Sequence, residues 1–180
     1  MKKILLTAFA AALLCVGCAE APRTAALLNE ADYQTQIDGK PVGLYTLQSE
    51  GITMQVTNYG ARIASLFVAD REGNPIDVVL GYPTIDQHLN GDGYAGPIVG
   101  RYGNRIGKGI FTLDGVEYTT TINNGENNLH GGVGGWSTHA WNVDTVTDNS
   151  ITLSYLSADG EEGYPGNVII TVTYTLNGNL

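Results

Sequence analysis

The sequence predicts an all-β domain, folded as an antiparallel β-sandwich, and three observations carry that expectation. Beyond Val42 the chain breaks into runs of four to seven residues rich in Val, Ile, Thr and Tyr, the residues that suit a pleated, half-buried surface. Glycine, at 24 of 180 residues, punctuates those runs where turns are needed. No apolar pattern at helical spacing persists beyond two turns. A sandwich suits the mixture of short and long strands with bulky loops better than a small barrel does.

Taken in order, "VGLYTLQSEGITMQVTNYGARIASLFVAD" reads as the opening antiparallel strands, and "PIDVVLGY" as another strand. A brief helix is expected around "TIDQHL". "IGKGIFTLDGVEYTTTI" reads as a hairpin turning at Asp114-Gly115, a dipeptide that accepts the positive φ of tight turns. "AWNVDTVTDNSITLSYLS" reads as a second, bending at Asp148-Asn149, and "NVIITVTYTLNGNL" as a long last strand. "NGNL" has the composition of a turn into a further strand, so the sandwich is expected to be incomplete at its C-terminal end.

The first 18 residues stand apart. "MKKILLTAFAAALLCVGC" has two lysines, an apolar run and small residues before a cysteine, the build of a bacterial-type export signal. Val16-Gly17-Cys18 resembles the end of a lipoprotein signal, which predicts lipidation of Cys18 and membrane attachment through it. Periplasmic or outer-membrane-anchored location follows from that reading, or else simple secretion. Residues 19–41 read as a tether with at most a helical turn, and 42–180 as the sandwich. The only two cysteines, Cys15 and Cys18, lie in the signal, so the domain beyond it has neither a disulfide nor a cysteine metal site.

Composition narrows the class of partner. The chain is 43% hydrophobic and 15% charged, which excludes a disordered polymer. A net charge of −9 offers no basic patch to displace counterions, so nucleic acid is not an expected partner. The three histidines lack ligand spacing for zinc, no Gly-x-Ser-x-Gly elbow occurs, and no cofactor is implied.

Three loops carry residues suited to binding. "GPIVGRYGNRIGKG", residues 96–109, sets Asn104 and Arg105 among five glycines, with no following helix or Gly-Lys-Ser/Thr ending to cradle phosphate. An amide offers adjacent donor and acceptor and a guanidinium a planar fork of donors, which together match vicinal hydroxyls. A structural role is open to both, Arg105 pairing with an acid and Asn104 capping a turn. "NNGENNLHGG", residues 123–132, concentrates asparagines that favour turns around His130, whose imidazole could serve a sugar hydroxyl or ring oxygen. "SADGEEGYPGN", residues 157–167, offers Asp159, Glu161 and Glu162 as a carboxylate pair, but Asp-Gly and Tyr-Pro-Gly favour a turn.

From about Tyr45 onward these segments, in this order, resemble the aldose 1-epimerase (galactose mutarotase) family. "VTNYGARIASLFVADREGNPIDVVLGYPTIDQHL", "GRYGNRIGKGIFTLDGVEYTTTINNGENNLHGG" and "SADGEEGYPGNVIITVTYTL" are the segments that carry it. The resemblance implies a galactose mutarotase-like supersandwich and interconversion of the α and β anomers of aldohexoses such as galactose and glucose. It implies that Asn104 and Arg105 hold sugar hydroxyls while His130 lies at the ring. It also implies a catalytic histidine and glutamate in segments after the last strand here, so the chain is expected to bind and to be inactive or weak in catalysis. Gly103 stands where the family tends to have Ala, and "GWSTHAW" departs from the usual polar pattern. The rival readings are a non-catalytic exported sugar-binding sandwich, an epimerase-like protein for phosphorylated hexoses, and a surface-anchored structural module.

Overall fold

A computed structural model describes residues 24–91 and 94–178. The export signal and Cys18 lie outside the described residues. Two sheets dominate. Strands β1 (Thr35–Ile37) and β2 (Lys40–Val42) form a small hairpin that leads into the first large sheet. That sheet comprises β3 (Leu44–Ser49), β4 (Ile52–Thr57), β5 (Arg62–Ala69) and β6 (Pro75–Asp77), antiparallel in sequence order. Helix α1 (Ile85–Asn90) follows, its first turn capped by the Thr84 hydroxyl, which accepts from the Gln87 N–H.

Between the sheets' sequences lie two short ribbons. Strand β7 (Arg105–Ile106) pairs with β10 (Asn128–Leu129), and β8 (Ile110–Leu113) with β9 (Val116–Thr119). The second large sheet is β11 (Asn142–Val146), β12 (Ser150–Ser157) and β13 (Val168–Thr175), the last two paired without a break from Ser150↔Thr175 to Ser157↔Val168. The antiparallel, almost helix-free architecture agrees with the sequence, as do both hairpin turns and α1.

The core explains why the two large sheets face each other. Leu47, Met54 and Val56 from the first sheet and Ala61 from its β4–β5 connection pack with Ile151 and Leu153 of the second sheet and with Trp141 and Leu176, which flank its strands. Removing such side chains from water is the main favourable term in folding. Asn58, 2% exposed, joins the sheets: it accepts from the Gly43 N–H and donates to the carbonyls of Pro41 and Trp141, all at 2.9 Å. A buried amide is tolerable here because its donors and acceptor are matched.

Two expectations need correction. The segment expected to be a tether is built into the fold from Leu28 onward. The buried Gln55 side chain accepts from the Leu28 N–H at 2.8 Å and donates to the Leu28 carbonyl at 3.1 Å, completing a bridge that the backbone alone lacks. A 3-10 turn at Glu30–Tyr33 then seats Tyr33, fully buried, in a second apolar cluster with Val42, Leu44 and Ile85. The strand expected over "PIDVVLGY" stops at Asp77, whose carboxylate accepts from both Leu66 N and Val79 N, while Val78 N keeps one last backbone bond to the Leu66 carbonyl at 2.9 Å. Val78 and Leu80 consequently remain exposed.

Candidate functional site

The β7–β10 ribbon brings together the three residues singled out for binding. Asn104 immediately precedes β7, Arg105 begins it, and His130 follows the end of β10. The His130 N–H donates to the Asn104 carbonyl at 3.0 Å, and the Asn104 N–H donates to His130 Nδ1 at 3.0 Å. Both residues sit at positive φ, 68° and 52°, a conformation that Asn and His enter more readily than most side chains.

This reciprocal pair fixes the chemistry of the ring. With Nδ1 accepting a backbone N–H, the hydrogen of a neutral imidazole sits on Nε2. His130 therefore presents a hydrogen-bond donor from Nε2. Tyr94 lies over the ring, with centroids 4.4 Å apart and planes tilted by 58°. Arg105 donates from Nε to Asn124 Oδ1 at 2.8 Å and from Nη1 to Asn104 Oδ1 at 3.2 Å. Two amides thus orient the guanidinium, while the side chain stays exposed. No carboxylate contacts Arg105 or His130 among the described residues, so the acid pairing open to Arg105 is not what holds it.

Most of the asparagine cluster builds rather than binds. Asn123 accepts from Leu129 N at 2.6 Å and donates to the Leu129 carbonyl at 3.0 Å, fixing the approach to His130. Asn127 accepts from Lys108 N. Asn128, fully buried, donates to the Thr121 carbonyl and accepts from the Tyr164 hydroxyl. Arg101, the other arginine of the glycine-rich loop, is also structural. It donates to the Ser157 hydroxyl and to the carbonyls of Ser157, Ala158 and Pro165, all within 3.1 Å.

The acidic turn has a role that its sequence did not disclose. It forms a 3-10 turn at Glu161–Gly163, as its turn-rich composition indicated. The Glu162 carboxylate accepts from Val133 N at 3.1 Å and Gly134 N at 2.8 Å, anchoring the loop that follows His130. Gly132, at φ 104°, lets that carboxylate approach, since a Cβ there would overlap Glu162 Oε2. Tyr155 donates its hydroxyl to Glu161 in a very short hydrogen bond, and burial together with this bond raises the phenol above its ordinary range. Neither Tyr94 nor Glu162 was legible as part of the site. Each reaches it through contacts between segments distant in sequence.

Beside Arg105 opens a cleft of about 490 Å³, lined by Arg101, Tyr102, Ile106, Gly107, Phe111 and Tyr164 as well. Among the described residues no group of three or more metal-ligating side chains converges.

The sequence pattern of the family Aldose 1-epimerase matches residues 43–180. Galactose mutarotase from Sus scrofa is 48% identical over 134 residues, covering 74% of this chain and 39% of the relative. That from Homo sapiens is 43% identical over 140 residues, covering 78% and 41%. The chain thus spans about two fifths of the length of the curated relatives it matches. Among solved structures, the GalM/aldose epimerase homologue from C. elegans superposes with a TM-score of 0.73 at 36% identity, over 76% of this chain and 42% of that one. Galactose 1-epimerase from Lactobacillus acidophilus gives 0.69 at 25% identity, over 81% and 43%.

Proposed function

Because the chain belongs to the aldose 1-epimerase family, an isomerase family, we propose that it serves the interconversion of α and β aldohexoses by gripping the pyranose at Asn104, Arg105 and His130. The observation that carries the reading is the Asn104–His130 pair of backbone-anchored hydrogen bonds. It holds an imidazole Nε2 donor next to an exposed guanidinium, a combination suited to a ring oxygen and neighbouring hydroxyls.

Mutarotation needs more than a grip. A base must take the C1 hydroxyl proton while an acid protonates the ring oxygen; the bond between C1 and that oxygen breaks, the carbonyl turns over, and the ring recloses. His130 with Nδ1 occupied is a donor and not a proton shuttle. The described residues therefore supply orientation, and orientation alone gives limited acceleration. We propose that the proton-transfer pair is not among them.

Two measurements on the 180-residue chain test this. Galactose titrated into the isotopically labelled protein is expected to shift the Asn104, Arg105 and His130 resonances, with Arg105→Ala weakening affinity by about tenfold, the loss expected for a charge-assisted hydrogen bond. In a polarimeter, the chain should scarcely hasten the mutarotation of fresh α-glucose. Unchanged affinity in the Arg105 variant, or vigorous catalysis, overturns the assignment.

For the cell, we propose export and attachment through a lipidated Cys18, supported by the lysines, apolar run and Val16-Gly17-Cys18 ending of the first 18 residues. Labelled fatty acid supplied to expressing bacteria should enter the protein, and Cys18→Ser should abolish its incorporation. An unaltered protein that takes up no label would leave simple secretion as the reading, and equal labelling of both forms would move the lipid away from Cys18.

A further inference from the structure

"GWSTHAW" is the segment that the family resemblance leaves unexplained, and its histidine is tied into the site described above. His139 Nδ1 lies 2.9 Å from Asp38 Oδ2. Its Nε2 lies 2.9 Å from the Gly134 carbonyl and 3.4 Å from Glu161 Oε1. Both ring nitrogens thus face oxygen acceptors, and both contacts are hydrogen bonds only when hydrogens occupy both. The ring also stacks on Tyr155, with centroids 5.0 Å apart and planes within 17°.

Gly134 is the crest of the loop that descends from His130. Its N–H is held by Glu162 and its carbonyl by His139, so this one residue is gripped from two sides. The neighbouring Gly135 packs closely on the His130 backbone: a Cβ built there would lie 2.7 Å from the His130 carbonyl oxygen, so only a glycine fits. A shift of the crest must therefore move the backbone that sets His130, and with it the Nε2 donor.

We propose that His139 is a positioning residue for His130, acting as a double donor that strings the Asp38 turn to the Gly134 carbonyl. Asp38 faces it from the β1–β2 turn and Glu161 from the acidic turn, while Tyr155 of β12 covers its ring. Glu161 is in turn held by the Tyr155 hydroxyl, and its Oε2 is buried without a hydrogen bond. The carboxylate is thereby fixed beside His139 instead of being drawn elsewhere. The contact spans 101 positions between residues 38 and 139, so the N-terminal hairpin takes part in holding the sugar-facing loop. The inference rests on reading His130 as a ligand donor.

The test uses the full 180-residue chain. Nitrogen-edited spectra of histidine-labelled protein should show hydrogens on both ring nitrogens of His139. His139→Phe keeps the stack and removes both donors; it should lower galactose affinity at least threefold and displace the Gly134 and His130 amide resonances. His139→Gln returns one donor toward Gly134 and should recover much of that affinity. Should the Phe variant not fold, Asp38→Gly decides: it removes the exposed carboxylate at a positive-φ position and should displace the same resonances. A single ring hydrogen, unmoved Gly134 and His130 resonances, or a Gln variant as weak as Phe overturns the proposal. If the unaltered chain binds no galactose, the sugar-binding reading falls, while the ring-hydrogen and resonance readouts still decide whether His139 sets the His130 loop.

Discussion

Arg62 and His88 lie side by side in the interior, 3% and 5% exposed, and no carboxylate contacts either among the described residues. The arrangement works through a one-way series of hydrogen bonds. Arg62 donates from Nη1 to His88 Nδ1 at 2.6 Å, His88 Nε2 faces the Tyr33 hydroxyl at 3.2 Å, and that hydroxyl donates to the Tyr82 carbonyl at 2.6 Å. Only a neutral His88 can accept from the guanidinium. Burial, and secondarily the Arg62 charge, lowers its pKa from 6.5 to about 4. The sign follows from which state binds protons. Between about pH 6.5 and about 4 the unfolded chain takes up a proton at this position that the folded chain refuses. Stability is therefore full above that window and falls as pH drops through it, by roughly 3 kcal/mol from this group alone. Urea unfolding at several pH values should show the loss, and His88→Asn, whose amide oxygen can still accept from Arg62, should flatten it. An identical pH slope in both proteins would contradict the account. The histidine was visible in the sequence; its burial depends on Arg62 and Tyr33, 26 and 55 positions away, and could not be read from its neighbours.

At the scale of elements, legibility followed locality. The Asp114-Gly115 hairpin was readable because its chemistry is contained in the turn, where both residues adopt positive φ. Helix α1 was readable because Thr84 caps it within its own first turn. The β6 region was misjudged because a side chain intervened: Asp77 accepts the hydrogen bond that a longer strand's backbone would have taken from Leu66, leaving an apolar run outside the sheet. The same principle divides the site. Asn104, Arg105 and His130 stood out by residue type and glycine-rich setting, and the register Leu129↔Arg105 joins them. Glu162 and His139 work through Gly134, which has no side chain to announce a contact. A carboxylate on two loop amides looks, in sequence, like any acid in a turn.

For the whole molecule, the question is whether the two large sheets are separate units or one. The core answers through its membership. Leu153 of β12 and Leu47 of β3, both fully buried, belong to the same cluster, and Trp141 packs there with its indole N–H donating to the Trp136 carbonyl at 3.0 Å. Hydrogen bonds cross as well, from Trp141 N to the Asn58 carbonyl and from Gln48 N to the Asp148 carbonyl. Neither sheet can shed the other without exposing this interior, so unfolding should be a single cooperative transition. Leu153→Ala removes a buried side chain at the contact and should cost about 2–5 kcal/mol, the range for a leucine cavity that closes only partly. Tryptophan fluorescence, from Trp136 and Trp141 at the joint, and far-ultraviolet circular dichroism, from the strands of both sheets, should move to lower denaturant together. Separation of the two signals in the variant, with β-structure surviving after the tryptophans are released, would mean that one sheet stands alone and that the shared interior is not what holds the site in place.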